Sequence, residues 1–118
     1  MNLSFHQLTN ASLLSERDLN DLAELIWDTD PYIYPAMFYS RSDAIIILSA
    51  LIKMAAPMFG PQHLFVCKTN NEIVALILWL YGPNSCSLDL IKKVASENNI
   101  VLPPTIELSF LEYFSDIS

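Results

Sequence analysis

The sequence predicts an α+β domain in which a strand is followed by two helices, a two-stranded hairpin and a further helix. Three observations carry this. Two serine-started amphipathic segments follow a short alternating run. Two apolar runs flank a dipeptide suited to a tight turn. A third helical stripe follows a Gly-Pro break.

Residues 3–8 alternate Leu3 and Phe5 with polar neighbours, as a first strand does, and "TNAS" then turns the chain. Ser15 precedes Asp18 by three residues, a capping-box start with Asp in place of Glu or Gln. Leu19, Leu22, Leu25 and Ile26 then recur at helical spacing and read as core. The acids of this helix read as its solvated face. Ser40 with Asp43 opens "SDAIIILSALIKMAA", whose apolar residues cover more than one face, so this helix is expected to be largely buried and to end by Pro57.

"HLFVCKT" and "EIVALILWLY" flank Asn70-Asn71, two residues able to take the positive φ values of a tight hairpin. Residues 63–80 therefore read as two antiparallel strands. After "GPNSC", the stretch "SLDLIKKVASENN" places Leu88, Ile91, Val94 and Ala95 on one helical face, and Pro103-Pro104 forces an extended link. The segment 105–114 alternates like a strand through Ile106, Leu108 and Phe110 yet carries the cap pair Ser109 and Glu112, so its type stays open. No repeat or domain boundary appears, and 118 residues suit one domain.

Composition excludes several classes. Six basic against thirteen acidic side chains give a net charge of -7, which disfavours nucleic acid and anionic membrane surfaces. With 53% hydrophobic residues the chain is too apolar for disorder. Cys67 and Cys86 match no CxxC spacing and read as free thiols, with no metal site implied. The most apolar stretches, "AIIILSALI" and "IVALILWLY", run for about nine residues, less than half of the roughly twenty that cross a bilayer. The stretch "MNLSFHQLTNASLL" lacks the basic start and continuous apolar block of a signal peptide, so a cytoplasmic location is expected.

The stretch "WDTDPYIYPAMF", residues 27–38, packs two acids, two prolines and four aromatic side chains between the first two helices. Prolines 31 and 35 are expected to hold Asp30 and Tyr34 out of helical conformation and to make the link extended. Tyr32 and Tyr34 would then share one side, where two phenols can line a cleft. Asp28 and Asp30 oppose the macrodipole at a helix C-terminus, a violation that fits either a turn or a site for a ligand. Met37 and Phe38 are open between core and pocket wall, as is Trp79 on the third strand. His6 and His63 have no nucleophile or acid at a catalytic spacing and read as structural.

The order strand, helix, helix, strand, strand, with "TDPYIYPAMF" between the helices and "EIVALILW" on the third strand, resembles the N-terminal, acceptor-side half of a bacterial GNAT-type N-acetyltransferase. A subgroup with a helical insertion after the third strand is the nearest likeness, through "SLDLIKKVASENN" and its flanks. The resemblance implies a single partial GNAT-like domain over residues 1–118. It also implies an amine acceptor, small or peptidic, held by the link between the helices: Asp28, Asp30, Tyr32, Tyr34, Met37, Phe38 and Trp79. No catalytic residue is assigned.

The family binds the pyrophosphate of acetyl-CoA with a Q/R-x-x-G-x-G/A loop, and this chain has none. Its two glycines, Gly60 and Gly82, are each followed by Pro, which removes a backbone donor. Acetyl-CoA is therefore expected for the full-length family and not for this chain, which should be inactive alone, either as part of a longer acetyltransferase or as a small protein with another purpose. The alternative is a non-catalytic binding or oligomerisation module. Without a fourth strand, the long apolar third strand would expose its edge, which either the chain's own tail around Ile106 to Phe114 or a second copy should cover, a homodimer through that edge being favoured.

Overall fold

The computed structural model describes residues 2–29, 32–56, 59–78 and 88–106. It is an α+β fold. Among these residues a three-stranded antiparallel sheet, in the order β1 (Leu3–Gln7), β2 (Leu64–Thr69), β3 (Glu72–Leu78), stands with four α-helices: α1 (Glu16–Thr29), the short α2 (Ile33–Met37), α3 (Arg41–Lys53) and α4 (Leu88–Glu97). α4 is the helix expected after the hairpin. The segment from residue 107 onward, whose type the sequence left open, lies outside the described residues.

Local signals set the helix starts. The Asp18 amide donates to Ser15 Oγ at 3.0 Å and the Ser15 amide donates to Asp18 Oδ2 at 3.1 Å, so the box closes in both directions with Asp as its acid. At α3, Ser40 Oγ accepts from the Asp43 amide at 3.1 Å. Asn10 does the same for a 3-10 turn over Ala11–Leu13, accepting from Ser12.

The ends follow a different rule. α3 stops at Lys53, before the proline expected to end it, because the Ala56 amide donates to Leu51 O and the Ala55 amide to Ile52 O, both at 3.0 Å. That is a Schellman closure with Ala55 at φ 53°. α4 closes the same way, with Asn99 at φ 57° and the Ile100 amide donating to Ala95 O. In a chain with two glycines, alanine and asparagine take left-handed positions that glycine usually fills.

Asn70 and Asn71, at φ 52° and 64°, make the tight hairpin turn, with Thr69 opposite Glu72. The pairing then slips: Lys68 faces Ile73 and Cys67 faces Ala75, which leaves Val74 as an extra residue on β3. The bulge re-phases the strand. Ile73 and Leu76 lie on the side of Leu64 and Val66, whereas Ala75 and Ile77 lie on the side of Phe65 and Cys67.

Leu64, Val66 and Ile73 join the stripe of α1 (Leu19, Leu22, Ala23, Ile26), the body of α3 (Ala44, Ile47, Leu48, Leu51, Ile52) and Ile91, Val94 and Ala95 of α4 in one core. α1 packs on α3 and β3, and α4 on α3. Bases tie the pair α1 and α3 at both ends: Lys53 lies 3.4 Å from Glu16, and Arg41 lies 3.6 Å from Glu24 and 3.9 Å from Asp28. The two helices are therefore antiparallel. Glu16, Asp21, Glu24 and Asp28 of α1, exposed or half-buried, are thus ion-pair partners as well as a solvated face. At these exposures each pair contributes about 0–1 kcal/mol.

Candidate functional site

The link between α1 and α3 was expected to be extended, and it is not. α2 makes one helical turn there, with the Ala36 amide donating to Tyr32 O at 3.3 Å. Pro35 sits at the third position of that turn, where its missing N–H is one of the donors that a helix start leaves unpaired in any case. Tyr34 is thus helical despite the proline after it, and burial of its ring in the core outweighs the local bias.

The correction separates the two phenols. Residues two apart on a helical turn point roughly 200° apart, so Tyr34 is 5% exposed within the core while Tyr32, at the start of the turn, is 77% exposed. Met37 and Phe38 are buried in the same core. Asp28 is exposed beside Arg41. Asp30 and Trp79 lie outside the described residues. His63, placed on a strand by its sequence, is buried in the 3-10 turn Pro61–His63 that precedes β2, and His6 Nε2 contacts Ser4 Oγ at 2.9 Å.

Two other surfaces have shape. The first is the outer face of the sheet, the side away from the core. Phe5 stacks on Phe65 across the β1–β2 pair, with Cys67, Ala75 and Ile77 beside them, around a groove of about 150 Å³. Phe5 and Ile77 are 63% and 61% exposed, and none of the residues lining the groove carries a charge. Among the described residues β1 and β3 are the two edges of the sheet.

The second is a cleft of about 560 Å³ at the opposite end of α1 from the link. Fourteen residues of helix separate the two by about 20 Å. The cleft lies between the β1–α1 connection (residues 9–14), the first turn of α1 and the end of α3, with Pro61 closing one side.

At Gly60 the space a side chain would take is filled by the Gln62 side chain, and Pro61 supplies no amide, so no cradle of donors surrounds it. Gly82 lies outside the described residues. No group of three or more His, Cys, Asp and Glu converges among the described residues as a metal would need. Nor is any described helix long and apolar enough to cross a membrane.

No family model, curated protein or solved structure matches the chain.

The sequence signalled part of the sheet face through the alternation of Leu3 and Phe5. It gave no sign that Ile77 and Ala75 join them, because that depends on the bulge. The cleft had no sequence signal beyond a polar "TNAS" turn, since its walls come from segments some forty residues apart.

Proposed function

We propose that the chain is a non-catalytic binding and oligomerisation module that keeps a strand-helix-helix-strand-strand arrangement like that of the acceptor-side half of a GNAT-type N-acetyltransferase. Its partner is a second copy of itself, seated on the outer face of the sheet. The observation that carries this reading is the exposed Phe5 ring, stacked on half-buried Phe65, with exposed Ile77 beside it.

Charge selects the partner. Two copies of net charge -7 repel each other least where the meeting faces carry no acids, and the groove is lined by uncharged residues. An uncharged apolar face also gives a cationic partner nothing to pair with. Two such faces related by a twofold axis are complementary by construction. Leu3, Phe5 and Ile77 expose apolar surface on the order of 300 Å², at the size of the largest patch on an ordinary monomer. That is well below the roughly 800 Å² per partner of a standard interface, so the dimer is a weak one, with a dissociation constant of about 10–100 μM. Face-to-face packing buries these rings; pairing through the β3 edge alone would leave them wet. A free Cys67 suits a cytoplasmic setting.

Sedimentation equilibrium from about 10 μM to about 1 mM tests the reading, with a monomer–dimer equilibrium expected. A strict monomer across that range refutes it.

The second reading is the acceptor-side half of an enzyme that transfers acetyl from acetyl-CoA to an amine. It is favoured by the order of elements and by α4 following the hairpin. On either reading the chain alone should show no acetyl transfer. Titration calorimetry should show no acetyl-CoA binding tighter than about 10 μM, and tighter binding would mean a cofactor site of another construction.

A further inference from the structure

The cleft at the far end of α1 is separate from the sheet face and serves no part of the proposed dimer. Its volume, about 560 Å³, is that of a small-molecule site. The floor is apolar: Leu19 is buried beneath it, Pro61 is buried at its side and Leu14 is half-buried. One wall is polar, built from the Thr9, Asn10 and Ser12 turn. There Asn10 Oδ1 accepts from both the Ser12 amide at 2.9 Å and Ser12 Oγ at 2.8 Å. Two donors on the oxygen fix the orientation of the amide and leave its nitrogen as a donor.

The charges are arranged as a pair. Glu16 and Lys53 both line the cleft, with Lys53 Nζ 3.4 Å from Glu16 Oε1. Both side chains are mostly exposed, so the contact holds the helix ends together weakly and opens at little cost. A ligand with one charge would satisfy one partner and strand the other. A ligand carrying an ammonium and a carboxylate on one carbon can replace the pair, its ammonium against Glu16 and its carboxylate against Lys53, with the Asn10 amide as a further donor. An apolar side chain would then reach the Leu14, Leu19 and Pro61 floor.

From this juxtaposition we infer that the cleft binds a small zwitterion of the free amino acid class with a branched apolar side chain. The inference is independent of self-association, because none of these residues lines the sheet groove.

The test is an amide chemical-shift titration of the intact chain with leucine, with 4-methylpentanoate and isopentylamine as singly charged analogues. Leucine should shift amides at residues 9–19 and 53–55 saturably, with a dissociation constant between about 0.1 and about 10 mM, and each analogue should bind about tenfold more weakly or worse. Lys53→Met and Glu16→Gln should each weaken leucine about tenfold while the dispersed spectrum shows that both variants fold. Absence of saturable shifts at these amides up to about 20 mM leucine overturns the inference, as does equal binding of either analogue.

Discussion

Phe5 and Phe65 stack across neighbouring strands with ring centroids 6.4 Å apart and planes 13° from parallel, on the face of the sheet that no described helix covers. They are diagonal neighbours, since Phe5 faces Cys67 and Phe65 faces Gln7 and Ile77. Aromatic pairs of this kind normally lie in a core or an interface.

Placing a charge on this face should abolish self-association and leave the fold intact. For Ile77→Lys and Phe5→Lys we expect a strictly monomeric protein in sedimentation equilibrium. Because both positions are already mostly exposed, stability in urea should stay within about 1 kcal/mol of the parent. Undiminished dimerisation of both variants would locate the contact elsewhere, the β3 edge first.

The two tyrosines of the link should behave oppositely. Tyr34→Ala removes a ring from the core and should cost about 3–5 kcal/mol, whereas Tyr32→Ala, on the surface, should change stability by about 0.5 kcal/mol or less. Urea denaturation reads both. Similar small losses at the two sites would restore an open link in which both phenols face solvent.

Ala55 holds the left-handed end of α3, a conformation that costs a residue with a Cβ about 1–2 kcal/mol. Ala55→Gly relieves this but adds freedom to the unfolded chain, so a net gain of about 0.5–1 kcal/mol is expected in thermal unfolding. A loss would mean that the methyl group packs more tightly than the strain it introduces.

The caps should be separable from the core. Ser15→Ala and Ser40→Ala each remove one capping acceptor and should cost about 1 kcal/mol. Being on different helices, their effects should add within about 0.5 kcal/mol in the double variant. Strong non-additivity in urea melts would show that the two helix starts are coupled through the α1–α3 packing.

Much of the fold was legible because its signals are local. Ser15 with Asp18, Ser40 with Asp43 and Asn70-Asn71 each act within four residues of chain, and the stripes of α1 and α4 repeat at the helical period. The link was misread for the same reason. Pro31 and Pro35 speak locally for an extended chain, while Tyr34, Met37 and Phe38 gain enough from burial to draw 33–37 into a helical turn.

What the sequence by itself determined, then, is where α1 and α3 start, where the hairpin turns and which faces of α1 and α4 seek the core. Only the tertiary structure decided which side of β3 is wet. Residues 73–78 are apolar at every position, so neither alternation frame is preferred by burial alone, and the extra residue at Val74 sets the frame that turns Ile77 and Ala75 outward. The cleft likewise exists only once Lys53 meets Glu16 across antiparallel helices, a contact thirty-seven positions apart that no local pattern encodes.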